Sequence, residues 1–395
     1  MAVTFMCGFE SAAALVDLGP GSGYVLAGTY AYSATQARTG TRSMRFNPAS
    51  VANGSLQIAH VQDYFHFGLY VASLPSIDRC IAGNPIGGRL NVRLTSAGAL
   101  AVYLNTTLIG TSSAAFASPG WHWVGIRQVT GTSVVFLQID GVDEVSGTAT
   151  ITTDFYNVGF MNNEASAADI YMDDVIRDDA GFLAPSKVAL LLPISDNARA
   201  TLWTGGTGGT TNLYDAVNNT PPVGSATESD TTQIEHAGGA AGSTDAYDAN
   251  LTTYSTAGVG SGDTVLAAQA LIVWGEDIST GTKLLTYRID SNPLFAGESS
   301  IDVSTSDGSG AVGTYGASPD YWNERRSAIK TTGLVIDTDI TLGTSPVFHV
   351  VRPETASRVA SVCFMGMYVA WTPYVAPPAS GPPIQPKVYP QILVQ

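Results

Sequence analysis

Hydrophobic and polar residues alternate over short segments in the first half of the chain, and turn-forming residues separate these segments. The clearest example is the stretch 120–145, GWHWVGIRQVTGTSVVFLQIDGVDEV. Residues 121–126 and 134–139 have the pattern of two strands joined by a turn at Gly131-Thr132, and a DG pair closes the second strand. A hairpin so rich in aromatic and β-branched residues cannot bury its apolar face alone, so the pattern predicts part of a larger sheet.

The same kind of pattern recurs at a spacing of about ten residues through the first half of the chain. The other predicted strands of this half cover residues 4–9, 44–46, 64–72, 89–94, 100–104, 155–161 and 170–176. None of these segments has a helical period of useful length. Many short strands separated by turns are typical of an antiparallel sandwich, so we expect an all-β fold.

Several of these segments, in their order along the chain, resemble the concanavalin A-like lectin/glucanase (laminin-G-like) jelly roll. They are GFE near the start, RTGTRSMRF, FHFGLYV, RLTSAGALAVY, WHWVGIRQ, VVFLQIDGV and IYMDDVIRDD. The tryptophan strand, the strand that ends in a DG turn and the closing strand with paired aspartates carry most of the likeness. The resemblance implies a first domain, residues 1–181, with the concanavalin A-like β-sandwich fold.

The second half resembles a segment of tailed-bacteriophage structural proteins, in which it directly follows a lectin-like domain. The resemblance rests on VALLLPISDNARATLWTGG and TNLYDAVNNTPPVGSATESDTTQI, and on the strand-like segments TVLAAQALIVWGED, KLLTYRIDS and SVCFMGMYVAW. It implies a second β-sandwich over residues 182–374 and a place in a virion, as a minor tail protein or a capsid appendage.

The composition changes abruptly near residue 375, where closely spaced prolines begin. Proline removes backbone donors and favours extended polyproline II geometry, so residues 375–395 are predicted to form a C-terminal arm instead of part of a core. The apolar ending suggests that the arm docks on a neighbouring subunit. Its predicted contact residues are Pro377, Pro382, Tyr389, Ile392 and Leu393.

Charge and cysteine content exclude several classes of function. The formal net charge of −15 argues against a nucleic-acid partner, because a phosphate backbone requires a basic surface. The three widely spaced cysteines fit neither a disulfide framework nor a zinc site. With no apolar run of about 18–20 residues and no signal-peptide pattern, we expect neither membrane insertion nor secretion. The expected location is the virion, after synthesis in the host cytoplasm.

A glycosidase of the resembled fold requires two acidic side chains close together on one strand face, in an ExDxxE-type pattern. The sequence contains no such pattern. Asp173 and Asp174 are adjacent, so on a regular strand their side chains leave opposite faces. We therefore expect one of them to cap a loop or backbone amide and the other to face solvent, and we expect no enzymatic activity.

A calcium ion is the one cofactor that the sequence leaves open. Asp169, Asp173 and Asp178 lie close together in sequence, and Ca²⁺ is bound by carboxylate oxygens. The alternative is an acidic edge that faces solvent.

Aromatic side chains are the candidates for binding a glycan, because they stack on sugar rings. Tyr64, Tyr103 and Trp121 are the predicted contacts, with Tyr70 and Trp123 as further candidates. The alternative is that most of them belong to the sandwich core, which requires large apolar residues.

These patterns predict a structural component of a bacteriophage virion that acts through contacts with other virion proteins and with its own copies. The alternative function is a carbohydrate-binding adhesin that recognises host-surface glycans. The first function depends on the second half and the arm, and the second depends on the first domain.

Overall fold

The computed structural model describes residues 3–9, 24–28, 30–47, 54–58, 64–83, 90–151, 157–160, 167–199, 202–219, 233–236, 246–276, 286–290, 301–302, 323–327, 329–331, 334–336, 340–351 and 360–375. These residues form antiparallel sheets and two short 3-10 helices, Ala115–Ala117 and Leu213–Ala216, which confirms the predicted all-β sandwich fold. No helix of this part is long and apolar enough to cross a membrane. The predicted contact residues of the arm, Pro377 to Leu393, lie outside the described residues.

Two facing sheets form the N-terminal sandwich. Its strands are β1 (Val3–Cys7), β2 (Tyr24–Gly28), β3 (Ala31–Ser33), β4 (Ser43–Phe46), β5 (Gly54–Ile58), β6 (Tyr64–Ser73), β7 (Arg79–Gly83), β8 (Leu90–Leu94), β9 (Leu100–Leu104), β10 (Thr107–Thr111), β11 (Trp121–Arg127), β12 (Gly131–Ile139), β13 (Val142–Ala149), β14 (Asn157–Phe160) and β15 (Asp169–Asp178). Sheet 1 has the order β10-β9-β8-β7-β14-β5-β2. Sheet 2 has the order β13-β12-β11-β6-β15-β4-β3, and β1 also pairs with β15.

Strand alternation on β6 shows how the sequence builds this sandwich. Phe65, Phe67 and Leu69 point to sheet 1 and are buried in a core shared by both sheets. The residues between them therefore point to the other side of sheet 2, because side chains of a strand alternate between its faces. This second side is called the outer face of sheet 2 below.

Two further sheets form the C-terminal sandwich. Its strands are β16 (Lys187–Leu191), β17 (Pro193–Arg199), β18 (Trp203–Gly205), β19 (Ile234–His236), β20 (Ala246–Leu251), β21 (Thr264–Glu276), β22 (Thr286–Asp290), β23 (Ile301–Asp302), β24 (Asn323–Arg326), β25 (Val347–Val351) and β26 (Ala360–Thr372). Sheet 3 has the order β18-β19-β26-β21-β24 with β16 also on β26, and sheet 4 has the order β17-β20-β25-β22-β23. Trp203, Trp274, Phe348 and Trp371 are buried in the core of this sandwich.

A third apolar layer joins the two sandwiches. Met6 and Ile176 on the outer face of sheet 2 belong to one buried cluster with Leu271, Phe364 and Tyr368 of sheet 3. The four sheets are therefore stacked, and sheets 2 and 3 are buried on both faces where they meet. This explains why the central strand β26 is an almost unbroken apolar run, since only fully covered strands lack polar alternation.

The hairpin at residues 120–145 forms, but its first turn is shifted. Gly131, predicted to lie in the turn, begins β12 and pairs with Ala149, so the chain reverses over residues 128–130. A Cβ at Gly131 would lie 2.6 Å from a methyl carbon of Val134, so this glycine is needed for close packing within the strand. The predicted DG turn is present, and both Asp140 and Gly141 have positive φ.

Candidate functional site

Three aromatic residues stand side by side on the outer face of sheet 2. In the strand register, Trp121 of β11 is opposite Tyr70 of β6, and Tyr70 is opposite Tyr171 of β15. Tyr171 is in turn opposite Arg45 of β4. These three aromatic residues are called the aromatic row below. Trp121 and Tyr70 are half-buried and Tyr171 is 7% exposed, so two of the three positions of the row are partly accessible to solvent.

The rings of the aromatic row contact one another but are not parallel. The ring centroids of Tyr70 and Trp121 are 5.7 Å apart with an interplanar angle of 52°. Those of Tyr70 and Tyr171 are 5.9 Å apart at 83°. Distances and angles of this kind are favourable for aromatic pairs, so the rings hold one another in place.

An ion pair closes one end of the row. The Arg45 guanidinium lies over the Tyr171 ring, with Cζ 5.6 Å from the ring centroid. It donates two hydrogen bonds to Asp169, from Nε to Oδ1 at 2.9 Å and from Nη2 to Oδ2 at 2.7 Å. The hydrogen bonds to Asp169 raise the pKa of Arg45 above its ordinary value, so the guanidinium keeps its charge. Both side chains remain partly exposed, at 37% and 20%.

The next row on the same face is covered by the chain that connects the two sandwiches. Trp123 is only 2% exposed, and its Nε1 donates to the carbonyl oxygen of Leu183 at 3.2 Å. Its ring stacks on His66, with centroids 5.9 Å apart and planes 11° apart. Leu183 also donates its backbone N–H to Nε2 of His66 at 3.0 Å. Trp123 thus stabilises the connection between sandwiches and has no accessible ring face for a ligand.

Arg38 lies over the sheet at the position of Gly68, which is opposite Trp123. A Cβ at Gly68 would be 2.5 Å from Cδ of Arg38, so the glycine provides the space for this side chain. Cζ of Arg38 is 4.9 Å from the centroid of the Trp123 ring. Arg38 also donates from Nη1 to the carbonyl oxygen of Ser186, in the connection between the sandwiches.

The prediction that Asp173 or Asp174 faces solvent is wrong, because both are completely buried. Asp174 has φ 51°, and the pairing of β15 with β6 shifts register between Asp173 and Ile176. This bulge turns both carboxylates toward Arg38 and Thr39. The assumption of a regular strand therefore fails at these two residues.

Each carboxylate of this pair binds a defined set of donors. Oδ2 of Asp173 accepts the backbone N–H groups of Arg38 at 2.8 Å and Thr39 at 3.1 Å. Oδ2 of Asp174 accepts Nη1 of Arg38 at 2.5 Å and the Thr39 hydroxyl at 2.9 Å. Oδ1 of Asp174 accepts the N–H of Val188 at 2.7 Å, which ties β15 to β16. The pair therefore fastens a loop and the connecting chain to sheet 2.

Burial raises the pKa of both aspartates, and for Asp173 the charge of Asp174 raises it further. The positive charge of Arg38 opposes this rise at Asp174. Burial also lowers the pKa of the neighbouring His66, to about 3. The interior of this contact is therefore strongly desolvated, and its aspartates are engaged in holding the structure together.

The three predicted calcium ligands are spread along β15. Asp169 pairs with Arg45, and Asp173 lies in the buried contact with Arg38. Asp178, at the far end of the strand, accepts the backbone N–H groups of Ala180 and Gly181 at 2.8 and 3.0 Å. At about 3.3 Å per residue, Asp169 and Asp178 are roughly 30 Å apart, so they cannot bind one ion. In the described ranges, no group of three His, Cys, Asp or Glu side chains is close enough to hold a metal ion.

The predicted sugar contacts are distributed over three places. Trp121 is in the aromatic row. Tyr64 is on the same outer face but near the connection, with its ring 5.0 Å from Phe182. Tyr103 is on sheet 1, where Arg93 lies over its ring with Cζ 5.1 Å from the centroid. The structure therefore does not bring these three residues together.

The sequence reasoning missed Tyr171 and Arg45. Strand alternation alone places both side chains on the outer face of sheet 2. Tyr171 lies two residues from Asp173, and Arg45 lies between the core residues Met44 and Phe46. What alternation does not provide is the register that aligns Arg45, Tyr171 and Tyr70 across three strands.

Comparisons with known proteins give no family for this chain. No protein-family model and no curated protein matches it. Among solved structures, the protein Cip1, described as cellulose-induced, has 13% identity and a TM-score of 0.33 over 46% of this chain and 99% of its own. The tandem CBM22-1-CBM22-2 domain of Paenibacillus barcinonensis Xyn10C has 11% identity and a TM-score of 0.23 over 93% and 97%. The binding domain of botulinum neurotoxin DC, in complex with SialylT, has 11% identity and a TM-score of 0.29 over 87% and 95%.

These similarities are too low to assign a function, so the function proposed below rests on the described residues. The predicted place in a virion stays a prediction from the sequence.

Proposed function

We propose that this protein binds glycans and that the aromatic row of sheet 2 is its binding surface. The observation that carries the proposal is the alignment of Trp121, Tyr70 and Tyr171 in one cross-strand row beside the Arg45–Asp169 pair. Aromatic rings cover the apolar faces of sugars, while a few convergent polar groups orient the hydroxyl groups. The row supplies both kinds of contact on a rigid sheet.

The position of the row supports binding over a purely structural role. Trp123, two residues along the same strand, is buried in the apolar layer between the sandwiches. Trp121 and Tyr70 are outside that layer and half-buried, so part of their apolar surface contacts water. A ligand that covers this surface gains the free energy of removing it from water.

Binding is tested with the full chain and a panel of polysaccharides, by affinity gel electrophoresis and calorimetry. Trp121→Ala and Tyr70→Ala should each weaken binding by about tenfold, which corresponds to the loss of about 1.4 kcal/mol of stacking. Tyr103→Ala is the matched control, because Tyr103 is partly exposed on the opposite sheet of the same sandwich. Binding that survives both row substitutions, or that fails equally in the control, would reject the row as the surface.

Virion assembly through the C-terminal arm is a second candidate, and one observation favours an attachment role for that segment. Tyr374, just before the arm, and Val375, the first residue of the arm, are 61% and 85% exposed. The N–H of Tyr374 is held by Oδ1 of Asp263 at 2.8 Å, so the chain passes into the arm from a fixed point on the surface. Deleting residues 375–395 should leave the fold intact and abolish self-association, measured by light scattering. Unchanged association would exclude the arm as the contact.

A further inference from the structure

The geometry and charge of the aromatic row also define a class of ligand, if the row binds glycans as proposed above. We infer that it selects single, soluble chains of neutral sugars that run across the strands of sheet 2. Three observations lead to this inference: the angles between the rings, the direction of the row and the balance of charge at its end.

The ring planes exclude a flat ligand. The planes of Trp121 and Tyr70 differ by 52°, and those of Tyr70 and Tyr171 differ by 83°. A crystalline polysaccharide presents many sugar rings in one plane, so it needs aromatic rings that are themselves coplanar. Rings set at these angles contact sugars one at a time, as a single chain allows when successive sugars turn relative to one another.

The row runs across the strands, and its spacing follows from the sheet. Neighbouring strands lie about 4.8 Å apart, which places successive ring centroids 5.7 and 5.9 Å apart. The distance between ring centroids is about the length of one sugar residue in a chain, so neighbouring sugars would contact side chains of neighbouring strands. Because Tyr171 is nearly buried, Trp121 and Tyr70 provide the stacking surfaces. The Arg45–Asp169 pair provides polar contacts beside Tyr171.

The charges of Arg45 and Asp169, at the end of the row, cancel. Arg45 uses Nε and Nη2 on the two oxygens of Asp169, so the pair has no net charge. On the next strand, the residue opposite Arg45 is Ala31, which has no charge. The whole chain has a formal charge of −15, which repels anionic polymers. The pair can donate to and accept from neighbouring hydroxyl groups, whereas a sugar carboxylate would have to displace Asp169.

The test compares three groups of polymers with the full chain. They are soluble neutral chains (mixed-linkage β-glucan, galactomannan and hydroxyethylcellulose), acidic chains (alginate and polygalacturonate), and the insoluble solids microcrystalline cellulose and chitin. We expect binding to at least one soluble neutral chain, with a loss of about tenfold in Trp121→Ala, and no binding to the acidic or insoluble groups.

Asp169→Asn removes the negative charge of the Arg45–Asp169 pair and leaves the aromatic residues in place. The pair is partly exposed, so its loss should have little effect on folding, which circular dichroism would verify. The unbalanced Arg45 should then confer measurable binding to polygalacturonate, which the wild type does not bind. Asp143→Asn, which removes an exposed acid on β13, is the matched control for net charge and should not have this effect.

The outcomes separate the inference from the proposed function. Trp121-dependent binding of an acidic or crystalline polymer by the wild type would overturn the ligand class and support the row as a glycan-binding surface. An Asp169→Asn variant that gains no acidic ligand would overturn the role of charge. If no polymer of the three groups binds, both the ligand class and the proposed function fail.

Discussion

Trp121 and Trp123 are two residues apart on β11 and share one face of the sheet, yet their surroundings differ completely. Trp123 is 2% exposed and is covered by Arg38 and Leu183. Trp121 is half-buried and contacts Tyr70. The residue opposite each tryptophan accounts for the difference. Gly68 faces Trp123 and leaves room for Arg38, whereas the bulky Tyr70 faces Trp121 and continues the row.

One sheet face therefore performs two tasks. Near Trp123 it forms the contact between sandwiches, with apolar packing, buried hydrogen bonds and a buried cluster of charges. Near Trp121 it leaves aromatic surface in contact with water. The comparison predicts that substitutions in the covered part reduce stability, while substitutions in the open part reduce binding.

Trp123→Ala should have the largest effect on stability. It removes a fully buried indole, its hydrogen bond to Leu183 and its contact with Arg38. Truncation of a buried tryptophan costs about 3–5 kcal/mol of the free energy of unfolding, measured by urea denaturation. If Trp121→Ala, made in parallel, costs the same, the distinction between the covered and open parts is wrong.

Arg38→Ala should cost about 3 kcal/mol or more, because it leaves the buried carboxylate of Asp174 without its guanidinium partner, whereas Asp173 keeps the backbone N–H of residue 38. Arg38→Lys retains the charge but not the planar group, so its cost should be smaller. Both effects are read from the urea midpoint at constant pH. An unchanged midpoint in Arg38→Ala would show that the cluster does not contribute to stability.

His66 predicts how the covered part responds to pH. Its pKa is 6.5 in an ordinary environment and about 3 in the native protein, because burial disfavours the imidazolium. The unfolded chain therefore binds a proton below pH 6.5 that the native state does not, and stability falls as the pH decreases from 6.5 toward 3. By about pH 5 this group should cost roughly 2 kcal/mol.

His66→Gln retains an acceptor for the N–H of Leu183 but cannot titrate, so it isolates this effect. The raised pKa of Asp173 and Asp174 acts in the opposite direction, since the native state then holds protons that unfolded aspartates release. That contribution is common to both proteins and cancels in their difference. The variant should lose less stability than the wild type on acidification, and identical pH profiles would contradict the assignment.

Strand alternation predicted the sandwich class. It also accounts for the common face of the two tryptophans and for His122 between them, which lies on the opposite face with its ring 5.0 Å from the ring of Phe116. Alternation failed at Asp174, because a residue with positive φ in a bulge has no clear signal in the sequence. It also carries no information on register, which aligns Arg45 with Tyr171, or on which part of an outer face a second sandwich covers.

Trp121→Ala should have the smallest effect on stability, about 1 kcal/mol, because it removes one tilted ring contact and a half-buried surface. The same substitution should remove most of the binding free energy gained by stacking. The loss of stability and the loss of binding should therefore be compared for each substitution. A substitution at a core position should reduce stability strongly and leave binding unchanged, and one at a binding position should do the reverse. A Trp121→Ala protein that is destabilised as strongly as Trp123→Ala would place Trp121 in the contact between sandwiches. The binding surface would then have to lie elsewhere on the molecule.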